Sequence, residues 1–288
     1  MSTPTTDTPE PASSHPGPVA EPVDEAATGE TRRRIPAGTI LLLAMSTIVS
    51  HSLARSTYPI LLPAIESELL RSHAQVPPSR LVVISNGIDC TRFVPGRTKI
   101  PPVPDPARRW VICVSQARAE KRVDLILRCA ARILAQPAFA DVSFVYVGAG
   151  AELNNWRLYA RDLGIADRVH FAGRQEDLLP WYQSACLMVH AAKRESFGLV
   201  LAEAMGCALP VVATASAGPS EIIADGETGR LIACDDEEGF TAAIEHYLAD
   251  PALARSHGLA GRERVCRLYS IHRQASAIAA AIRRVSHC

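Results

Sequence analysis

From about Arg80 onward the sequence alternates between short apolar runs, many of them β-branched, and longer amphipathic stretches. No other feature constrains the fold as much. Strands read in turn at 81–85, 110–115, 142–148, 169–173, 187–191, 211–214 and 231–233. Between them, 124–136 has helical spacing, with Leu125, Ile126, Cys129, Ile133 and Leu134 on one side. A polar helix reads at 151–163, a short helix at 178–185 and a further one at 197–205. Helices rich in Ala and Arg fill 237–288. Strand–helix alternation of this kind gives an α/β fold, a parallel sheet with helices on both faces. Ligands of such sheets sit at the carboxyl ends of the strands.

Composition narrows the function classes. Lys plus Arg and Asp plus Glu each number 30, so the formal net charge is zero. A nucleic-acid binder shows a basic excess or stripe, and the cations here are scattered. The eight cysteines are Cys90, Cys113, Cys129, Cys186, Cys207, Cys234, Cys266 and Cys288. They form no C-x-x-C pair and mostly sit in apolar runs, so they read as free thiols of a reducing compartment rather than as a disulfide framework or metal site, which is the alternative reading. His170 and His190 fall at strand-like positions without ligand spacing and read as structural. No metal is expected.

The N-terminal region divides in two. Residues 1–34 are rich in Pro, Thr, Ser, Ala and Glu. They cannot bury enough surface to offset their chain entropy and read as a disordered tail. Residues 35–72 read as an apolar helical segment, opening with the nearly uncharged run IPAGTILLLAMSTIVS. That run is near the lower length limit for a membrane span, and Arg32, Arg33 and Arg34 before it fit a signal anchor. The pattern SHSLARSTYPILLPAIESEL resembles the first transmembrane helix of a major facilitator transporter, and no further transporter helix follows. The readings are a fusion remnant that does not span, a membrane anchor and a hairpin that turns back, so membrane contact through 35–70 stays open.

The chemistry concentrates at Glu195 and Glu203. Glu203 lies in the run LVLAEAM, where a carboxylate is expensive unless it is bonded or serves a ligand. The alternative is a solvent-facing or arginine-paired helix glutamate. Glu195 precedes Ser196, Phe197, Gly198 and Leu199, where a strand end meets a helix start. Free N–H groups there form an anion site, and Gly198 lets a phosphate approach the backbone. Carboxylates beside phosphates suit sugar and ribose hydroxyls. Cations for a diphosphate stand in the segment from Ser115 to Arg122, where Arg118 and Lys121 follow a strand and open a helix. Three glycine segments, around Gly87, Gly148–Gly150 and Gly218, have plain turn readings as well.

The motifs ISNGIDCTRFVP, SQARAEKRVDLIL, VYVGAGAEL, VHFAG, ESFGLVLAEAMGCALPVVAT and AGPSEIIADGETGRLI occur in that order. The series resembles the C-terminal, Rossmann-like donor-binding domain of family 4 glycosyltransferases, which have the GT-B fold, and covers about 79–288. The resemblance implies transfer of a hexose, with retention, from a nucleoside-diphosphate sugar such as a UDP-, GDP- or ADP-sugar. It implies no metal cofactor. Lys121 matches the diphosphate lysine and Glu195 the glutamate near the donor sugar, which makes these two the catalytic candidates. Glu203 matches the ribose glutamate. Ser196, Phe197, Gly198 and Leu199 match the backbone cradle, and Arg174 the loop by the base.

The sequence departs from the family in two places. Ser115-Gln116 stands where the family often has Gly-Arg, so Gln116 takes the arginine's position and Arg118 is expected to substitute. The family's N-terminal acceptor-binding domain also has no counterpart in residues 1–78. The chain therefore reads as a truncated transferase, with a partner chain supplying the other half, or as a sugar-nucleotide-binding module that transfers nothing. A cytoplasmic location follows from the donor. The acceptor is not legible.

Overall fold

The computed structural model describes residues 82–96, 101 and 103–286; the expected tail at 1–34 and apolar segment at 35–72 lie outside the described residues. Six strands form one parallel sheet. They are β1 (Arg109–Val114), β2 (Val142–Val147), β3 (Val169–Gly173), β4 (Ala185–His190), β5 (Val211–Thr214) and β6 (Arg230–Ile232), in the order β3-β2-β1-β4-β5-β6. Eight helices accompany them among the described residues. These are α1 (Val123–Leu134), α2 (Leu153–Asp162), α3 (Leu179–Ser184), α4 (Leu199–Gly206), α5 (Ala217–Ile222), α6 (Glu237–Ala249), α7 (Pro251–Leu268) and α8 (Ile271–Ser286).

The apolar runs become strands because both faces of the sheet are covered. β2 is buried at every position and β1 at all but Arg109, the pattern of a parallel sheet between helical layers. Side chains alternate between two cores. Val111 and Cys113 pack with α1, α2 and α6 through Leu125, Ile133, Trp156, Phe240 and Ile244. Trp110, Ile112 and Val114 pack with α3, α4 and α7 through Tyr182, Leu201, Met205 and Val265. The charged side of α1 is tied down too, with Arg128 2.7 Å from Glu237 and 3.0 Å from Asp124.

Most of the expected elements form within a residue or two of their expected bounds. The strand expected at 81–85 is not seen over its described residues. Residues 82–87 pair with no strand among the described residues, making only side-chain bonds from Ser85 to Glu221 and from the Gly87 N–H to Gln274, and Val82 and Val83 are 55% and 71% exposed. A β-branched run becomes a strand only against a partner, and this one has no neighbouring edge. The chain joins the fold at Ile88, which bridges Ser270. The helix expected from Phe197 starts at Leu199, because Gly198 caps it at φ 92° and Phe197 is drawn into the core. Among the described residues no helix is long and apolar enough to cross a membrane.

The strand order reverses direction between β1 and β4. Loops leaving the carboxyl ends of these two strands diverge, and the crevice between them is where such sheets bind ligands.

Candidate functional site

The loops after β1 and β4 carry the residues that meet in that crevice. Lys121 closes a 3₁₀ turn, Ala119–Lys121, just before α1. Glu195 sits between β4 and α4. Both are buried, at 7% and 6% exposure, and Lys121 Nζ lies 2.8 Å from Glu195 Oε2. His190, the last residue of β4 and also buried, places Nε2 3.1 Å from the same oxygen. Burial alone pushes the Glu195 carboxyl up. The hydrogen bond from His190 and the charge of Lys121 outweigh it, and the pKa falls to about 2. Glu195 is therefore a carboxylate with two partners on one oxygen.

The helix entrance beside it is open. The N–H groups of Ser196, Phe197, Gly198 and Leu199 donate to no acceptor among the described residues, and Leu201 and Ala202 both bond back to the Gly198 carbonyl. Four free donors at a helix N-terminus form an anion cradle. Close packing fixes its shape. A Cβ on Gly218 would lie 2.4 Å from Phe197 Cα, and the Gly218 N–H donates to the Glu195 carbonyl at 2.7 Å. A Cβ on Gly148 would come 1.9 Å from the Ser115 carbonyl oxygen, so the glycine loop after β2 presses on the loop that carries Gln116 and Arg118.

The other expected site residues are spread along the same edge. Glu203 is half-buried and accepts a bond from Tyr182 Oη at 3.1 Å. Burial, followed by the charge of Glu203, raises the Tyr182 pKa and keeps the phenol a donor. Gln116 is half-buried. The Arg118 side chain is 41% exposed, 3.8 Å from Glu120, and is not drawn into the buried cluster. Arg174 is exposed just after β3, two strands from β1. The fold thus joins Lys121 and Glu195 directly, while Gln116 and Arg118 stay on the loop after β1 and Arg174 on the loop after β3, at the edge of the sheet.

Sequence reasoning missed His190 and Tyr182. His190 read as structural, and its contact with Glu195 arises only because the chain doubles back within five residues. His170 does pack structurally, stacked on Trp181 and edge-on to Trp110.

Sheet and crevice define the class first: a parallel α/β domain matching the C-terminal, Rossmann-like half of GT-B glycosyltransferases. The family described as glycosyl transferases group 1 matches residues 99–264, and the chain belongs to that family. The lipopolysaccharide core biosynthesis mannosyltransferase LpcC of Rhizobium leguminosarum bv. viciae is 34% identical over 208 residues, 69% of this chain and 58% of that one. Sucrose-phosphate synthase of Thermosynechococcus elongatus superposes with a TM-score of 0.66 at 27% identity, over 78% of this chain and 57% of that one. Anabaena HepE in complex with UDP is alike in fold, with a TM-score of 0.61 at 20% identity, over 72% and 57% of the two chains. The chain spans a little over half the length of these proteins.

Proposed function

We propose that this chain provides the donor site of a retaining hexosyltransferase of family 4 that uses a nucleoside-diphosphate sugar. The observation that carries the reading is the Lys121–Glu195 pair set against four N–H groups at the start of α4 that have no partner among the described residues. The cradle and Lys121 suit a diphosphate, and Glu195 suits a sugar hydroxyl. Lys121 has three N–H donors and gives one to Glu195, which leaves two for phosphate oxygens. Arg118 takes the role of the arginine that Gln116 lacks. Glu203 addresses the ribose and Arg174 the base. UDP bound to a protein of like fold, HepE, agrees with such a ligand.

The chemistry follows from charge. As the glycosidic bond to the diphosphate breaks, negative charge grows on the leaving oxygen. Lys121, Arg118 and the α4 cradle stabilise it without reorganising, and no metal is required. Acceptor binding belongs to the remaining length that the relatives have, whether on the same polypeptide or a partner chain.

Calorimetry with UDP, GDP and ADP tests the reading, and failure of all three to bind would refute it. Arg118→Ala is expected to weaken the best of them by about 1–3 kcal/mol, the scale of a charged hydrogen bond. Unchanged affinity would remove Arg118 from the site.

A further inference from the structure

Beside the buried ion pair lies an open cavity of 440 Å³ lined by Ala119, Glu120, Arg122, Lys193 and Arg194. Its two walls are the loops after β1 and β4, joined where the Lys193 N–H donates to the Glu120 carbonyl at 3.0 Å. The cavity leans toward β6, because Arg122 Nη1 reaches the Cys234 carbonyl and Asp235 Oδ1, both at 2.7 Å, just beyond that strand. Arg174 follows β3 at the opposite edge of the sheet. On the donor reading, the base lies toward Arg174 and the sugar at Glu195. The cavity then lies beyond the sugar.

Its lining is cationic and only partly compensated. Lys193 and Arg194 are exposed and have no carboxylate partner among the described residues, while Glu120 faces Arg118 at 3.8 Å. Arg122 is held at φ 49°, ψ 44°, a left-handed conformation that favours glycine. Its protein contacts use Nη1 alone, so Nε and Nη2 stay unengaged by the described residues. That edge of a fixed guanidinium has the geometry for two parallel bonds to an oxyanion. Two further cations nearby favour a ligand of charge −1 or −2.

We propose that this cavity binds a phosphate or carboxylate group carried by a sugar, at the sugar end of the donor site. The proposal rests on the donor reading for the position of the sugar. The anion belongs either to the transferred sugar or to the acceptor.

The test compares wild type with the double variant Lys193→Ala/Arg194→Ala. Both side chains are solvent-exposed, so the fold is kept. Calorimetry is run with the free nucleoside diphosphates, with matched nucleotide-hexose and nucleotide-hexuronate, and with glucose 6-phosphate, glucuronate and glucose added to the protein holding its best nucleotide. Wild type is expected to bind at least one anionic sugar about tenfold tighter than its neutral counterpart. The variant should lose that preference while keeping its affinity for free nucleoside diphosphate within about threefold. A preference for hexuronate donors places the charge on the transferred sugar, and a preference for glucose 6-phosphate or glucuronate places it on the acceptor. A wild type that prefers no anionic sugar, or a preference that survives in the variant, overturns the proposal. Failure of every nucleoside diphosphate to bind wild type overturns the donor reading instead. The sugar arms, run without nucleotide, then still decide the cavity.

Discussion

Lys121 and Glu195 carry opposite charges at under a tenth exposure, with His190 as the third member of the cluster. Removing one partner of such a pair strands the other, which costs far more than the pair contributes. Lys121→Ala is therefore expected to destabilise the domain by about 3–5 kcal/mol, read as a fall in urea midpoint at neutral pH. A change under about 1 kcal/mol would mean that His190 alone suffices to hold Glu195. The same cluster predicts a pH dependence. The folded pKa of Glu195, about 2, lies below the reference value of 4.5. The stabilisation is thus fully present above about pH 4.5 and is lost as pH falls toward 2, to a total of about 3 kcal/mol. Glu195→Gln should flatten the stability profile over that window. An acid limb unchanged from wild type would assign the acid loss to other groups.

At the level of elements, the entrance of α4 depends on one backbone conformation. Gly198 sits at φ 92°, and a Cβ there would meet Leu201 Cδ1 at 3.2 Å and Glu195 Cγ at 3.5 Å. Gly198→Ala is expected to cost about 1–2 kcal/mol from the left-handed backbone alone, and also to disturb the carboxylate next to it. Nucleotide affinity should fall along with the melting temperature. A variant that melts lower but binds normally would separate the cap from the cradle. This entrance was readable in the sequence because Glu-Ser-Phe-Gly combines a strand end, a glycine and a helix start. The strands and α1 were readable because burial on both faces of a parallel sheet leaves apolar runs, and one buried helix face leaves a 3.6-residue repeat. Residues 82–85 misled because apolar character records a preference for pairing and says nothing of whether a partner edge exists. His190 could not be found from spacing. Its role depends on a loop that folds Glu195 back over the end of β4, and Tyr182 meets Glu203 only across the packing of α3 on α4.

For the molecule as a whole, the open question is what holds residues 87–94 to a sheet they do not join. Ile88 exchanges bonds with the α7–α8 junction, its N–H to the Tyr269 carbonyl and its carbonyl from the Ile271 N–H, both at 2.8 Å. Phe93 packs edge-on to Tyr182 at 6.2 Å. The Gly87 N–H donates to Gln274 Oε1 at 3.1 Å and the Val94 carbonyl accepts from Gln183 Nε2 at 2.8 Å, while Arg262 of α7 donates to the carbonyls of Phe93 at 2.6 Å, Cys90 at 3.3 Å and Gly206 at the end of α4. One planar guanidinium thus ties the incoming chain, α7 and the C-terminus of the helix whose N-terminus forms the cradle. A lysine ammonium is a compact point charge without that fork and cannot span the three acceptors in the same geometry. Arg262→Ala and Arg262→Lys are both expected to destabilise the domain, by about 2–3 kcal/mol for alanine and somewhat less for lysine. Hydrogen exchange should quicken first at Ile88 and Phe93, with the amides of β1 and β2 following only to the extent that global stability falls. If β1 and β2 lose protection as much as Ile88 does, the segment unfolds with the sheet and Arg262 fastens no separable unit. If Ile88 alone is exposed, residues 87–94 form a latch on the finished domain, held there by α7.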